Sequence, residues 1–183
     1  MRSAVRLAWA PVPPGTPRRE TAWATLRSLP PDGVELTQGC PRCGGPHGPI
    51  AVAGAPARVS VAYAGAYAYV AVADERVVSA LGVDAELEVD PVRDAAGLAG
   101  VLGPGSSPSV RAWTRVEAVL KADGRGLHVD PTRVRVDGDG EGWSAHVDGG
   151  GVFDGWDADG PDDVLVSVAV RAAPEERAAR ATP

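Results

Sequence analysis

Three short runs hold the residue types from which a reactive site could be built. Gly82-Val83-Asp84-Ala85-Glu86 closes an apolar stretch that reads as a strand. Residues two apart in a strand point to one face with Cα atoms about 6.6 Å apart, so Asp84 and Glu86 can converge on one cation. Carboxylates without His or Cys among them suit a hard ion such as Mg²⁺, which keeps part of its water shell and shares the rest with substrate phosphates. The bland alternative is a solvated acidic loop before Pro91. In the second run, Glu117 and Lys121 are spaced i, i+4 and stack on one face of a helix. As an exposed ion pair they would contribute about 0.3–0.5 kcal/mol. The lysine stands out, because the chain's 18 basic side chains are 17 arginines and this single lysine. The absence of Asn and the scarcity of Ile and Gln point to a GC-rich coding bias, under which a lysine is the unexpected choice.

The third run is Cys40-Pro41-Arg42-Cys43 with His47. A structural zinc site takes four ligands, and the other histidines, His128 and His146, are far along the chain. A zinc site is therefore not the expectation for this run. Asp137–Asp148 spaces its acids like an EF-hand loop, but β-like segments flank it where helices are needed and position 12 is Asp. A Gly/Asp hairpin is the better reading.

These residues must be positioned by the elements around them. Strands are expected over 3–9, 58–63, 67–73, 77–86, 132–137, 143–147, 151–156 and 163–171. Helices are expected over 18–29, 92–102 and 109–123. The third helix is the best marked. Trp113, Val116, Val119 and Leu120 form its apolar side, Ser107 or Ser109 serves as N-cap, and Gly124 ends it. The order lacks regular βαβ alternation, so the fold class is α+β. Residues 172–183 read as a frayed, Ala/Arg/Glu-rich tail.

Net charge is −6, which excludes a general basic surface for nucleic acid. No apolar run is long enough to span a membrane, and the first 14 residues lack the apolar core of a signal peptide. With only two cysteines, a reducing cytoplasmic setting is expected.

GVDAE followed by WTRVEAVLKADGRGL (Trp113–Leu127) resembles the paired signature of the surfactin-synthetase-activating type of 4′-phosphopantetheinyl transferase. The match takes in Gly82, Val83, Asp84 and Glu86, then Trp113, Thr114, Glu117, Ala118, Lys121, Ala122, Gly124, Gly126 and Leu127. CPRCGGPHG (Cys40–Gly48) is similar to a Cys-Cys-His segment of that family, and Val59–Ala73 to its strand–turn–strand.

The resemblance implies a monomer of two pseudo-symmetric halves with the site between them, here residues 1–81 and 82–171. It implies Mg²⁺-dependent transfer of 4′-phosphopantetheine from coenzyme A to a serine of an apo acyl or peptidyl carrier protein. Asp84, Glu86 and Glu117 would surround the ion, Glu117 would act as base, and Lys121 would sit on the transferred phosphate. Arg18, Arg19, Arg42, His47 and Tyr63, with Lys121, would hold coenzyme A, and Arg58 is a further candidate cation. The chain departs from the family where Tyr63 replaces a histidine, Ala62 and Ala64 replace serines, Pro49 follows Gly48, and Val116 replaces a basic residue. Those departures motivate a second reading, a non-catalytic relative that binds a carrier protein or nucleotide.

Overall fold

The computed structural model describes residues 1–183 apart from 30, 41–42, 99, 103–107, 139, 141 and 175–183. The expected roles of Arg42 and Ser107, and most of the expected tail, fall outside the described residues.

Among the described residues, ten strands and three α-helices form a mixed α+β fold with antiparallel sheets. Strands β1 (Val5–Pro11), β5 (Tyr67–Asp74) and β4 (Ala57–Ala64) make a three-stranded sheet in the order β1-β5-β4. Strands β6 (Val78–Leu87), β10 (Val164–Ala172), β9 (Gly151–Ala158), β8 (Gly142–Val147) and β7 (Val134–Asp137) make a five-stranded sheet in the order β6-β10-β9-β8-β7. Strands β2 (Glu35–Gln38) and β3 (Ile50–Ala53) form a separate hairpin.

The period-2 alternation of β5 sets the layering. Ala68, Val70 and Val72 pack with Ala22 and Leu26 of helix α1 (Arg18–Arg27). Tyr69, Ala71 and Ala73 pack on the opposite side against Val83, Val166, Val168 and Val170 of the second sheet. The second sheet's outer face carries Ala145, Val147, Phe153 and Ala169 against Val119 and Leu120 of helix α3 (Val110–Asp123). The layers therefore run α1, sheet, sheet, α3. Both β5 and β10 are covered on both faces, which is why each reads as a nearly unbroken apolar run.

The two sheets share one connectivity. A strand, a helix and two further strands assemble as β1-β5-β4 around α1 and as β6-β10-β9 around α3. The hairpin β2–β3 is inserted after α1, and β7–β8 after α3, where they extend the second sheet. The expected boundary at residue 81 falls inside β6.

Helix α3 starts and stops as its sequence signals require. Ser109 Oγ accepts from the Ala112 amide, and Gly124 caps the end at φ 82°. The helix expected over 92–102 is shorter, α2 (Pro91–Ala96), because Gly97 takes φ 74° and breaks it. Asp137–Asp148, read as a Gly/Asp hairpin, takes in the end of β7 and all of β8, which pair antiparallel. Among the described residues, no helix is long and apolar enough to cross a membrane.

Candidate active site

Strand β6 and helix α3 meet face to face, and the site grows from that contact. Gly82, Asp84 and Glu86 share one face of β6, while Leu81, Val83 and Ala85 turn into the core between the sheets. A Cβ on Gly82 would overlap the Ala118 carbonyl oxygen and stand 2.5 Å from the Ala122 amide nitrogen. Glycine therefore lets the helix backbone rest on the strand. That approach sets the next two residues of the face, both acids, against the side chains of α3.

Lys121 Nζ donates to Asp84 Oδ1 at 2.7 Å and to the Val61 carbonyl on edge strand β4 at 3.3 Å. Asp84 is buried, at 6% exposure, and its second oxygen, Oδ2, has no hydrogen-bond partner. Glu86 accepts from Trp113 Nε1 at 3.2 Å and from Arg93 Nη1 at 3.3 Å. Arg93 is itself held by the carbonyls of Leu87 and Glu88. Glu117 lies between Trp113 and Lys121 on the same helical stripe and has no hydrogen bond to the described residues.

All three carboxyls are shifted up. For Asp84 the cause is burial, opposed by the charge and hydrogen bond of Lys121 and by the Ala85 amide. For Glu86 it is burial and then the charge of Asp84, opposed by Trp113 and Arg93. For Glu117 it is burial and the charge of Asp84, with Lys121 opposing and Glu86 adding to the rise. Mutually repelling, desolvated acids with one oxygen orphaned are short of positive charge. The donor set fits a hard divalent cation of the Mg²⁺ type, although the three carboxylates do not close to within 4.8 Å of one another.

The expected coenzyme A residues divide into two places. Arg18 Nη2 donates to the Gly65 carbonyl at 3.0 Å, in the turn between β4 and β5. Arg19 stacks on Trp23, 4.5 Å from the ring centroid. Burial raises the Tyr63 phenol, and the charges of Arg19 and Arg18 pull against that rise, so both cations lie beside it. The backbone that carries Tyr63 runs beside the acid group. Tyr63 is two residues beyond Val61, and a Cβ on Gly65 would touch Leu87, the neighbour of Glu86. His47 is elsewhere, against Cys43 in the loop between β2 and β3. Arg58 is drawn to Glu75 at 3.4 Å and is not part of the group.

Sequence reasoning missed a second polar centre. Asp157 on β9 accepts from Arg111, Arg115, the Trp143 indole and the Ser167 hydroxyl. Burial works to raise its carboxyl, but the hydrogen bonds of Arg115 and Arg111, with the Arg115 charge and Ser167, bring it below the usual range. Arg115 is almost fully buried and also donates to the Gly138 carbonyl. An open cleft of about 850 Å³ beside Asp157 is lined by Arg2, Leu7, Arg111, Trp156 and Val166, and none of Asp84, Glu86 and Glu117 lines it. Val116, where the family resemblance expects a basic residue, is buried with Val119 and Leu120 in the core under α3.

No protein-family model matches the chain, and no curated protein matches it in sequence.

Proposed function

We propose that the chain is a 4′-phosphopantetheinyl transferase, moving the phosphopantetheine arm of coenzyme A to a serine of an apo acyl or peptidyl carrier protein. The observation that carries the reading is the buried Asp84, paired to the chain's one lysine, with Oδ2 unpartnered and Glu86 and Glu117 beside it. The shared connectivity of the two sheets supports an arrangement of two similar halves, with the Asp84 group where β6 meets β4.

Asp84 Oδ2, Glu86 and Glu117 would hold Mg²⁺. When bound, the ion supplies charge to the pyrophosphate oxygens and the leaving phosphate. Arg18, Arg19 and Tyr63 bind the nucleotide's anionic groups from the neighbouring turn and helix start. Glu117 takes the proton of the carrier serine hydroxyl, a task a carboxylate performs from hydrogen-bond reach. The serine oxygen bonds to phosphorus, the bond from phosphorus to the bridging oxygen breaks, and adenosine 3′,5′-bisphosphate leaves. Lys121, locked by Asp84 and Val61, presents a fixed positive charge to the transferred phosphate.

Incubation with a panel of apo carrier proteins, coenzyme A and Mg²⁺, read by intact mass, tests the proposal. The expected result is one added phosphopantetheine on at least one carrier. Calorimetric binding of a carrier with no binding of coenzyme A would instead mark a non-catalytic relative.

A further inference from the structure

The loop joining β2 to β3 gathers Cys40, Cys43 and His47 so that their ligand atoms all lie within 4.8 Å of one another. Cys43 Sγ and His47 Nε2 are 3.0 Å apart, and no disulfide joins the two sulfurs. In a tetrahedral zinc site, Zn–S near 2.3 Å and Zn–N near 2.0 Å place sulfurs about 3.8 Å apart and sulfur and nitrogen about 3.6 Å apart. The three groups are therefore close to ligand spacing.

The backbone holds them there. Cys40 N donates to the Gly45 carbonyl at 2.8 Å, Gly44 N to the Cys40 carbonyl at 2.8 Å, and His47 N to the Gly45 carbonyl at 2.8 Å. The Gln38 amide fixes the far side through the Gly48 carbonyl at 2.7 Å. A Cβ on Gly45 would come within 3.1 Å of His47 Cδ2 and 3.3 Å of Cys43 Sγ. Glycine at 45 thus leaves room for the ring and the sulfur to face each other over the backbone. Gly44, at φ 69°, turns the chain back between the cysteines and the histidine.

We propose that Cys40, Cys43 and His47 bind one Zn²⁺, leaving its fourth position to water or another exchangeable donor. Two thiolates balance the ion's charge, and an imidazole completes a soft S₂N set that zinc accepts. Three protein ligands with one open position make an accessible zinc centre, since Cys43 and His47 are on the surface. Binding releases the two thiol protons, so affinity rises with pH. The site shares no ligand with the Asp84 group and does not rest on the transferase reading.

The test uses the full chain, purified under reducing conditions and stripped with a chelator. Titration with Zn²⁺ against a chromophoric competitor should give one ion per chain, and Co²⁺ should give a thiolate charge-transfer band. Cys43→Ser and His47→Ala should lose both signals. His47 is exposed, so its variant should keep the wild-type circular dichroism spectrum and melting curve. Substoichiometric zinc in the wild type would overturn the proposal. So would equal affinity in the Cys40→Ser/Cys43→Ser double variant.

Discussion

Replacing Lys121 with methionine keeps the length of the side chain and removes its charge. Asp84 then remains 6% exposed with neither oxygen bonded to a side chain. Breaking a fully buried ion pair costs about 3–5 kcal/mol, whereas an exposed pair is worth about 0–1 kcal/mol. Here the Asp84 side chain is 9% exposed and that of Lys121 32%, so the pair falls between those limits. The expected loss is about 2–3 kcal/mol, or roughly 5–10 °C of melting temperature in a chain of this size. Urea unfolding of wild type, Lys121→Met, Asp84→Asn and the double variant, in chelator, measures it. Because removal of the lysine strands a buried charge, the double variant should be more stable than Lys121→Met alone. The deficit also depends on pH. Lys121 is the main opponent of the upward shift at Asp84, so its loss lifts the folded-state carboxyl further. The deficit is then largest above that raised value and narrows as pH falls toward the ordinary carboxylate range, where the acid is neutral in both states. A Lys121→Met protein with wild-type stability at pH 7, or with a deficit that ignores pH, would refute this reasoning.

Other consequences can be checked with the same methods. Gly82→Ala pushes a methyl into the backbone of α3, which has no flexible end to yield, and should cost about 1–3 kcal/mol or more by urea unfolding. Asp157→Asn removes the charge that holds Arg111 and Arg115 and should cost about 2–4 kcal/mol at neutral pH. Because the Asp157 carboxyl is held low when folded, its contribution is complete above the ordinary carboxylate range and lost as pH falls through the depressed value; the gap to the variant should close there. The raised carboxyls of Asp84, Glu86 and Glu117 have the opposite sign, and without metal they lower stability as pH climbs from the ordinary carboxylate range through their shifted values. Mg²⁺ should therefore raise the melting temperature at neutral pH in the wild type and not in Asp84→Asn.

Local signals carried the reading of α3 well. Its apolar stripe, Ser109 cap and Gly124 stop are all short-range, and the observed span differs from the expected one by a single residue. The acid–lysine geometry was legible for the same reason, since period 2 on β6 and period 3.6 on α3 place the side chains before any packing is known. What could not be read was the partner each would choose. Lys121 is bonded to Asp84 and to a carbonyl of β4, a strand some 60 positions away in sequence. Strands β2 and β3 were missed because Glu35–Gln38 and Ile50–Ala53 are four residues each and pair only with one another, too short for alternation to register. The Asp157 centre was missed because an aspartate in a Gly/Asp-rich stretch looks like a solvated turn until four donors from three other elements close on it. Arg115 gave no signal either, because a buried arginine in an amphipathic helix is indistinguishable in sequence from a surface one.

The central claim is that the Asp84–Lys121 group carries phosphopantetheine transfer, and single-turnover transfer to an apo carrier protein tests it most directly. Intact carrier mass would be followed with wild type, Asp84→Asn and Lys121→Arg, with Mg²⁺ and in chelator. The account predicts Mg²⁺-dependent gain of one phosphopantetheine by wild type. It predicts a loss of about 100-fold or more in Lys121→Arg, whose larger, planar guanidinium can still pair with Asp84 but cannot present its charge from the ammonium's position, with the fold kept. Transfer at the wild-type rate by Lys121→Arg, or transfer by Asp84→Asn that ignores Mg²⁺, would contradict it.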